Sequence, residues 1–127
     1  MVKILFYTSS PHSLETEIVS IFALCVVNTF QFHSVYNPIK LKQVFQNEVY
    51  TKPIVILAPM SHQDLDDLSS LQELYTTLPV VLLLPDESDE TLQKAHKFQP
   101  KFLTTVKHDF TYVLSVVEQL SMIYCHD

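Results

Sequence analysis

Apolar residues in this chain gather in five short runs, and the segments between them carry apolar positions at helical spacing. The runs are Ile4 to Tyr7, Phe30 to Tyr36, Ile54 to Ala58, Val80 to Leu84 and Phe102 to Val106. The first, third and fourth are apolar at every position, which is how strands covered on both faces read. The second alternates (Phe30-Gln31-Phe32-His33-Ser34-Val35), and Thr104-Thr105 dilutes the fifth, so both predict edge strands. Regular alternation of strand and helix predicts five βα units and a parallel sheet with helices on both faces. With the second and fifth strands at the edges, the expected order is 2-1-3-4-5.

The helices have legible starts. Ser13 precedes Leu14-Glu15-Thr16-Glu17, and Asn37-Pro38 sets a capping residue before a proline at the first helical position. Ser61-His62-Gln63-Asp64 has the spacing of a capping box ahead of Leu65, Leu68, Leu71 and Tyr75. Asp86, Glu87, Asp89 and Glu90 open the fourth helix, where the dipole favours acids, and Asp109 is placed to cap the fifth. Both this cluster and Asp64-Asp66-Asp67 are read as solvated helix starts rather than metal ligands. The fifth helix carries a core stripe of Phe110, Val113, Leu114, Val117 and Leu120. A second stripe, Tyr112, Val116 and Ile123, leaves it apolar nearly all round and is a candidate interaction surface.

A length of 127 residues fits one domain, 1–127, that builds a core without metal or disulfides. No apolar run approaches the ~20 residues that span a bilayer. The chain enters its first strand without signal-peptide architecture, so the expected setting is cytoplasmic, away from membranes. Net charge is −6, all eight basic residues are lysine and none is arginine, which argues against nucleic-acid binding. There is no glycine, so neither a GxGxxG turn nor a P-loop can be present. Cys25 and Cys125 are read as reduced, separate thiols, with a bridge open to them if their helices are neighbours.

In open parallel sheets, chemistry gathers at the carboxyl ends of the strands. The residues expected there are Thr8-Ser9-Ser10, Pro59-Met60, Pro85 and Lys107-His108, a rim with almost no acid. His12, His62 and His108 would approach one another at that rim, and three imidazoles suit zinc. Six histidines scatter onto any surface, however, so the expectation is no metal and no cofactor. The Thr, Ser, His and Lys side chains of the rim leave a second reading open, a sensor or enzyme for a small ligand or anion.

The order and spacing of these segments resemble the receiver domain of two-component response regulators, the CheY-like group with a flavodoxin-like, doubly wound (βα)5 fold. Val2-Lys3-Ile4-Leu5-Phe6-Tyr7 followed by Pro11 is similar to the family's first strand and the proline beyond its acidic pair. Lys52 to Leu57 and Leu78 to Leu83 resemble its third and fourth strands, and Lys107 its fifth-loop lysine. The resemblance implies a phosphoacceptor aspartate after the third strand, two acids holding Mg²⁺, and a hydroxyl and a lysine gripping the phosphoryl oxygens. A carboxylate nucleophile needs a divalent ion to offset the incoming charge, and hard Mg²⁺ needs carboxylate oxygens. In this chain the acidic pair falls on Thr8 and Ser9. The acceptor falls on Pro59, or on Ala58 with a one-residue shift, and the hydroxyl falls on Leu84. Lys107 alone matches, and His108 follows it where the family has proline. The expectation is therefore a pseudo-receiver: no enzyme, but a signalling module that binds a protein partner or a second copy through its fourth- and fifth-helix face.

Overall fold

The computed structural model describes residues 2–9, 13–23, 30–47, 53–71, 78–98, 100–105 and 110–124. Strands β1 (Val2–Thr8), β2 (Phe30–Val35), β3 (Ile54–Ala58), β4 (Val80–Leu84) and β5 (Phe102–Thr105) alternate with helices α1 (Ser13–Ala23), α2 (Pro38–Asn47), α3 (His62–Ser69), α4 (Asp89–His96) and α5 (Thr111–Tyr124). The strands form one parallel sheet in the order β2-β1-β3-β4-β5. This is the doubly wound α/β architecture that the alternation predicts, with the alternating and Thr-diluted strands at the two edges.

The period-2 geometry of strands divides the core into two layers. Ile4 and Phe6 of β1, Ile54 and Ile56 of β3, and Val81 and Leu83 of β4 face α1 and α5, meeting Ile18, Phe22, Val113 and Val117. Leu5, Tyr7, Val55, Leu57, Val80 and Leu82 face the other way, onto Leu41, Leu65, Leu68 and Ala95 of α2 to α4. Every residue of β3 and β4 is buried, which explains their unbroken apolar runs. Phe22 clamps the edge of the first layer by meeting Phe30 and Phe32 edge to face, at centroid distances of 5.0 and 5.2 Å.

The caps of α2 and α3 follow the sequence. Asn37 Oδ1 accepts the Lys40 amide at 2.9 Å ahead of Pro38, and Ser61 Oγ accepts the Asp64 amide at 3.1 Å. Ser88 caps α4 through the Thr91 amide. The described C-caps, Ser70 and Lys97, have φ of −66° and −67°, so these helices end in right-handed turns that need no glycine. Leu114, expected in the core stripe of α5, is only half-buried, whereas Phe110, Val113, Val117 and Leu120 are buried. Asp109, Cys25 and Cys125 lie outside the described residues.

Candidate functional site

The carboxyl ends of β1 and β3 lie side by side because the two strands pair directly. Strand β1 runs one residue further than its apolar run suggests, through Thr8, which pairs with Ala58 at the end of β3. Both residues are fully buried on the layer that faces α1 and α5, and Pro59, the next residue, is buried too. Ser9 is exposed. At the end of β4, Leu84 is fully buried on the opposite layer, paired with Thr105 of β5. The strand ends that carry Thr8, Ala58, Pro59 and Leu84 are therefore packed with side chains that offer neither a carboxylate nor an exposed nucleophile. Lys107, His108 and His12 lie outside the described residues.

One acid does sit at this end, and the solvated-start expectation is wrong for it. Asp64, in the first turn of α3, is only 7% exposed. Its Oδ1 accepts a hydrogen bond from the Tyr7 phenol, and its Oδ2 accepts the Met60 amide at 3.1 Å. Its own amide donates to Ser61, so the capping box folds back over the β3–α3 turn. Tyr7 is fully buried on the α3 side of β1. Burial, and then the hydrogen bond to Asp64, push its phenol far above the ordinary range, so it remains a neutral donor. Both carboxylate oxygens are occupied, and the group is a structural anchor between β1 and α3.

A second polar cluster joins α3 to α4 at the surface. Asp86 Oδ1 accepts the Ser88 amide at 2.9 Å and the Thr91 hydroxyl at 2.7 Å. The Ser88 amide, and after it the Thr91 hydroxyl, hold this carboxyl well below the usual carboxylate range. Since the single Thr91 hydroxyl proton goes to Asp86, His62 Nε2 is the donor in its 3.0 Å contact with Thr91 Oγ1. The ring also lies 3.5 Å from Asp86 Oδ2 through Nε2 and 3.5 Å from Glu90 Oε1 through Nδ1. Lys94 of α4 reaches back to Asp66 of α3 at 3.0 Å, and that contact raises its ammonium above the ordinary lysine value.

The two carboxylates meet opposite nitrogens of the His62 ring, so they do not converge on one point as metal ligands would. Among the described residues no group of three His, Cys, Asp or Glu side chains could hold a metal ion. The described cavities lie along β1, β2, α2 and α3, and none of their linings includes Thr8, Ser9, Pro59 or Leu84. On α5, Tyr112 and Ile123 are exposed at 68% and 61%, and Met122, which the stripe omitted, at 74%. Val116 is half-buried and packs against the core. Among the described residues no helix is long and apolar enough to cross a membrane.

No protein-family model matches the chain, and no curated protein resembles it in sequence. Solved structures do share its fold. A signal receiver domain of an HD domain-containing protein from Pseudomonas fluorescens Pf-5 superposes with a TM-score of 0.71 at 16% identity, over 93% of this chain and 92% of that one. A CheY-like response regulator from Mesorhizobium loti gives 0.67 at 16%, over 92% and 96%. A putative pilus assembly-related protein from Burkholderia pseudomallei K96243 gives 0.67 at 14%, over 94% and 88%. At such identities the likeness establishes a CheY-like, flavodoxin-like fold.

Proposed function

We propose that this chain is a pseudo-receiver, a signalling domain that works through protein contacts without phosphorylation. The observation that carries this reading is the end of β3, where Ala58 and Pro59 stand buried beside Thr8. Phosphoryl transfer to a receiver requires a carboxylate at that point and acids for Mg²⁺ beside it. Asp64, the acid nearest in sequence to that strand end, has both oxygens engaged by Tyr7 and Met60. With no exposed nucleophile among these residues, the scaffold is left with its surfaces.

The test is incubation with Mg²⁺ and acetyl phosphate, followed by intact mass measurement at neutral and acidic pH, with beryllofluoride titration in parallel. The expected result is no mass increase and no spectral shift. A stoichiometric, Mg²⁺-dependent acyl phosphate, abolished by Asp64→Asn or by replacement of any other acid, would overturn the reading.

The working surface in this reading is the fourth- and fifth-helix face, with Tyr112, Val116 and Ile123 of α5 and the adjoining Met122. Burying each large apolar side chain there would contribute roughly 1.5–3 kcal/mol before association costs. Ile123→Asp is expected to weaken self-association or partner capture while leaving melting nearly unchanged, as for a surface substitution. Val116, which packs against the core, is the poorer probe because its replacement by aspartate also disturbs folding. Sedimentation of Ile123→Asp beside the parent chain decides the self-association case.

A further inference from the structure

The face of the sheet beneath α2 is incompletely covered. This ten-residue helix seats Leu41 fully and Val44 partly. Near the amino ends of β1 and β2 it leaves a cavity of about 250 Å³, lined among others by Lys3, Leu5, Gln31, His33, Val44 and Pro53. The strand register pairs Lys3 with Gln31 and Leu5 with His33, and paired residues of parallel strands share a face. These four side chains therefore form a square on the layer that holds Leu5 and Val44. Its apolar corner, Leu5, is buried, and Pro53 beside it is buried as well, whereas Lys3, Gln31 and His33 are exposed at the mouth.

Two features set this cavity apart from an ordinary surface hollow. Among the described residues no hydrogen bond or ion pair engages the Lys3, Gln31 or His33 side chains. Among the described residues no acid lines it, although the chain carries a net charge of −6. A lysine ammonium, an amide N–H and an imidazole N–H thus stand around one opening, all able to donate, above an apolar floor. A few polar groups at an apolar cavity are the usual composition of a ligand site. The volume is below the roughly 300–1,000 Å³ of sites for drug-sized ligands, so the occupant is small.

From this arrangement we propose that the cavity binds a small organic carboxylate with an apolar body. The carboxylate lies at the mouth against Lys3, Gln31 and His33, and the apolar body enters between Leu5, Val44 and Pro53. The site is independent of the pseudo-receiver reading, because it lies at the opposite end of the strands from the degenerate pocket and stands whether or not any aspartate is phosphorylated.

The test uses the intact chain, labelled with ¹⁵N and titrated separately with benzoate, hexanoate, benzyl alcohol and inorganic phosphate. Saturable amide shifts confined to residues 3–5, 31–34, 44 and their neighbours are expected with at least one of the two carboxylates. Benzyl alcohol, which lacks the charge, and phosphate, which lacks the apolar body, are each expected to bind at least tenfold more weakly. Lys3→Met keeps the aliphatic stem and is expected to weaken carboxylate binding at least tenfold with melting unchanged; Gln31→Met gives a smaller loss in the same direction. The proposal is overturned if neither carboxylate gives localised, saturable shifts. It is equally overturned if the alcohol or phosphate binds as tightly as the carboxylate, or if both variants retain full affinity.

Discussion

Asp64 and Asp86 accept the same kinds of hydrogen-bond donor in two different settings. Each follows a fully buried strand and stands at or just before the start of a helix. Each accepts one hydroxyl, from Tyr7 or Thr91, and one backbone amide, from Met60 or Ser88. Asp64 is sealed against β1, whereas the side chain of Asp86 is 41% exposed. Hydrogen bonds of equal number therefore carry unequal weight. Loss of a buried partner strands a donor away from water, but at the surface water replaces what is lost. The β3–α3 turn is built as part of the core, and the β4–α4 turn as part of the surface.

The largest effect is expected at the sealed site. Asp64→Ala removes the cap contacts and leaves the Tyr7 phenol buried without an acceptor, which should cost about 2–4 kcal/mol in urea unfolding. A cost below about 1 kcal/mol would mean that water reaches the site. Tyr7→Phe takes away the donor and should cost about 1–3 kcal/mol, because the buried carboxylate loses a partner. It also has a signature in pH. The Tyr7 phenol is raised above its unfolded value near 10, so its contribution is complete below about pH 10 and is lost as pH rises beyond it. Absorbance titration of the chain should show at least one of the six tyrosines ionising only on unfolding, and Tyr7→Phe should remove that one.

Thr105 sharpens the comparison from the other side. Its hydroxyl is buried at the end of β5 with no hydrogen-bond partner among the described residues. Thr105→Val keeps the shape and removes an unsatisfied group, so melting should show no loss and a gain of up to about 1 kcal/mol. A clear loss would point to a water held by that hydroxyl. The smallest effect is expected for Asp86→Asn, a change at an exposed group. Asp86 is depressed below its unfolded value, so what it contributes is present above about pH 4 and fades only as pH falls further. At neutral pH the variant should melt close to the parent, and its acid limb should be the flatter of the two.

The fold was legible because its signals are local. Unbroken apolar runs mark β1, β3 and β4, alternation marks β2, and Asn37 and Ser61 announce α2 and α3 by their own spacing. The anchor at Asp64 was not legible, because its partner Tyr7 lies 57 positions away and meets it only after β1 and β3 pair. Three acids within four residues read as a wet helix start, and Asp66 conforms, being exposed. The Ser61 capping box placed Asp64 at the turn, but nothing in it specified burial. The cluster of His62 with Asp86 and Glu90 was hidden for the same reason, since α3 and α4 come side by side only once β3 and β4 pair. Helical periodicity separated Val113, Val117 and Leu120 from Tyr112 and Ile123, but it did not foresee that Val116 would turn partly inward.

The right-handed ends of α3 and α4 bear on the denatured chain as much as on the native one. At the usual ~7%, a protein of this length would carry about nine glycines, and this one has none. Each position that holds a side-chain-bearing residue in place of glycine, with φ negative as at Ser70 and Lys97, narrows the disordered ensemble and favours folding by roughly 0.4–1 kcal/mol. At Ser70 and Lys97 together that is on the order of 1–2 kcal/mol, a noticeable part of the net stability of a small domain. The same restriction makes unfolded segments stiffer and slower to reverse direction, so the turns between strands and helices are places where this protein gives up backbone freedom before it folds.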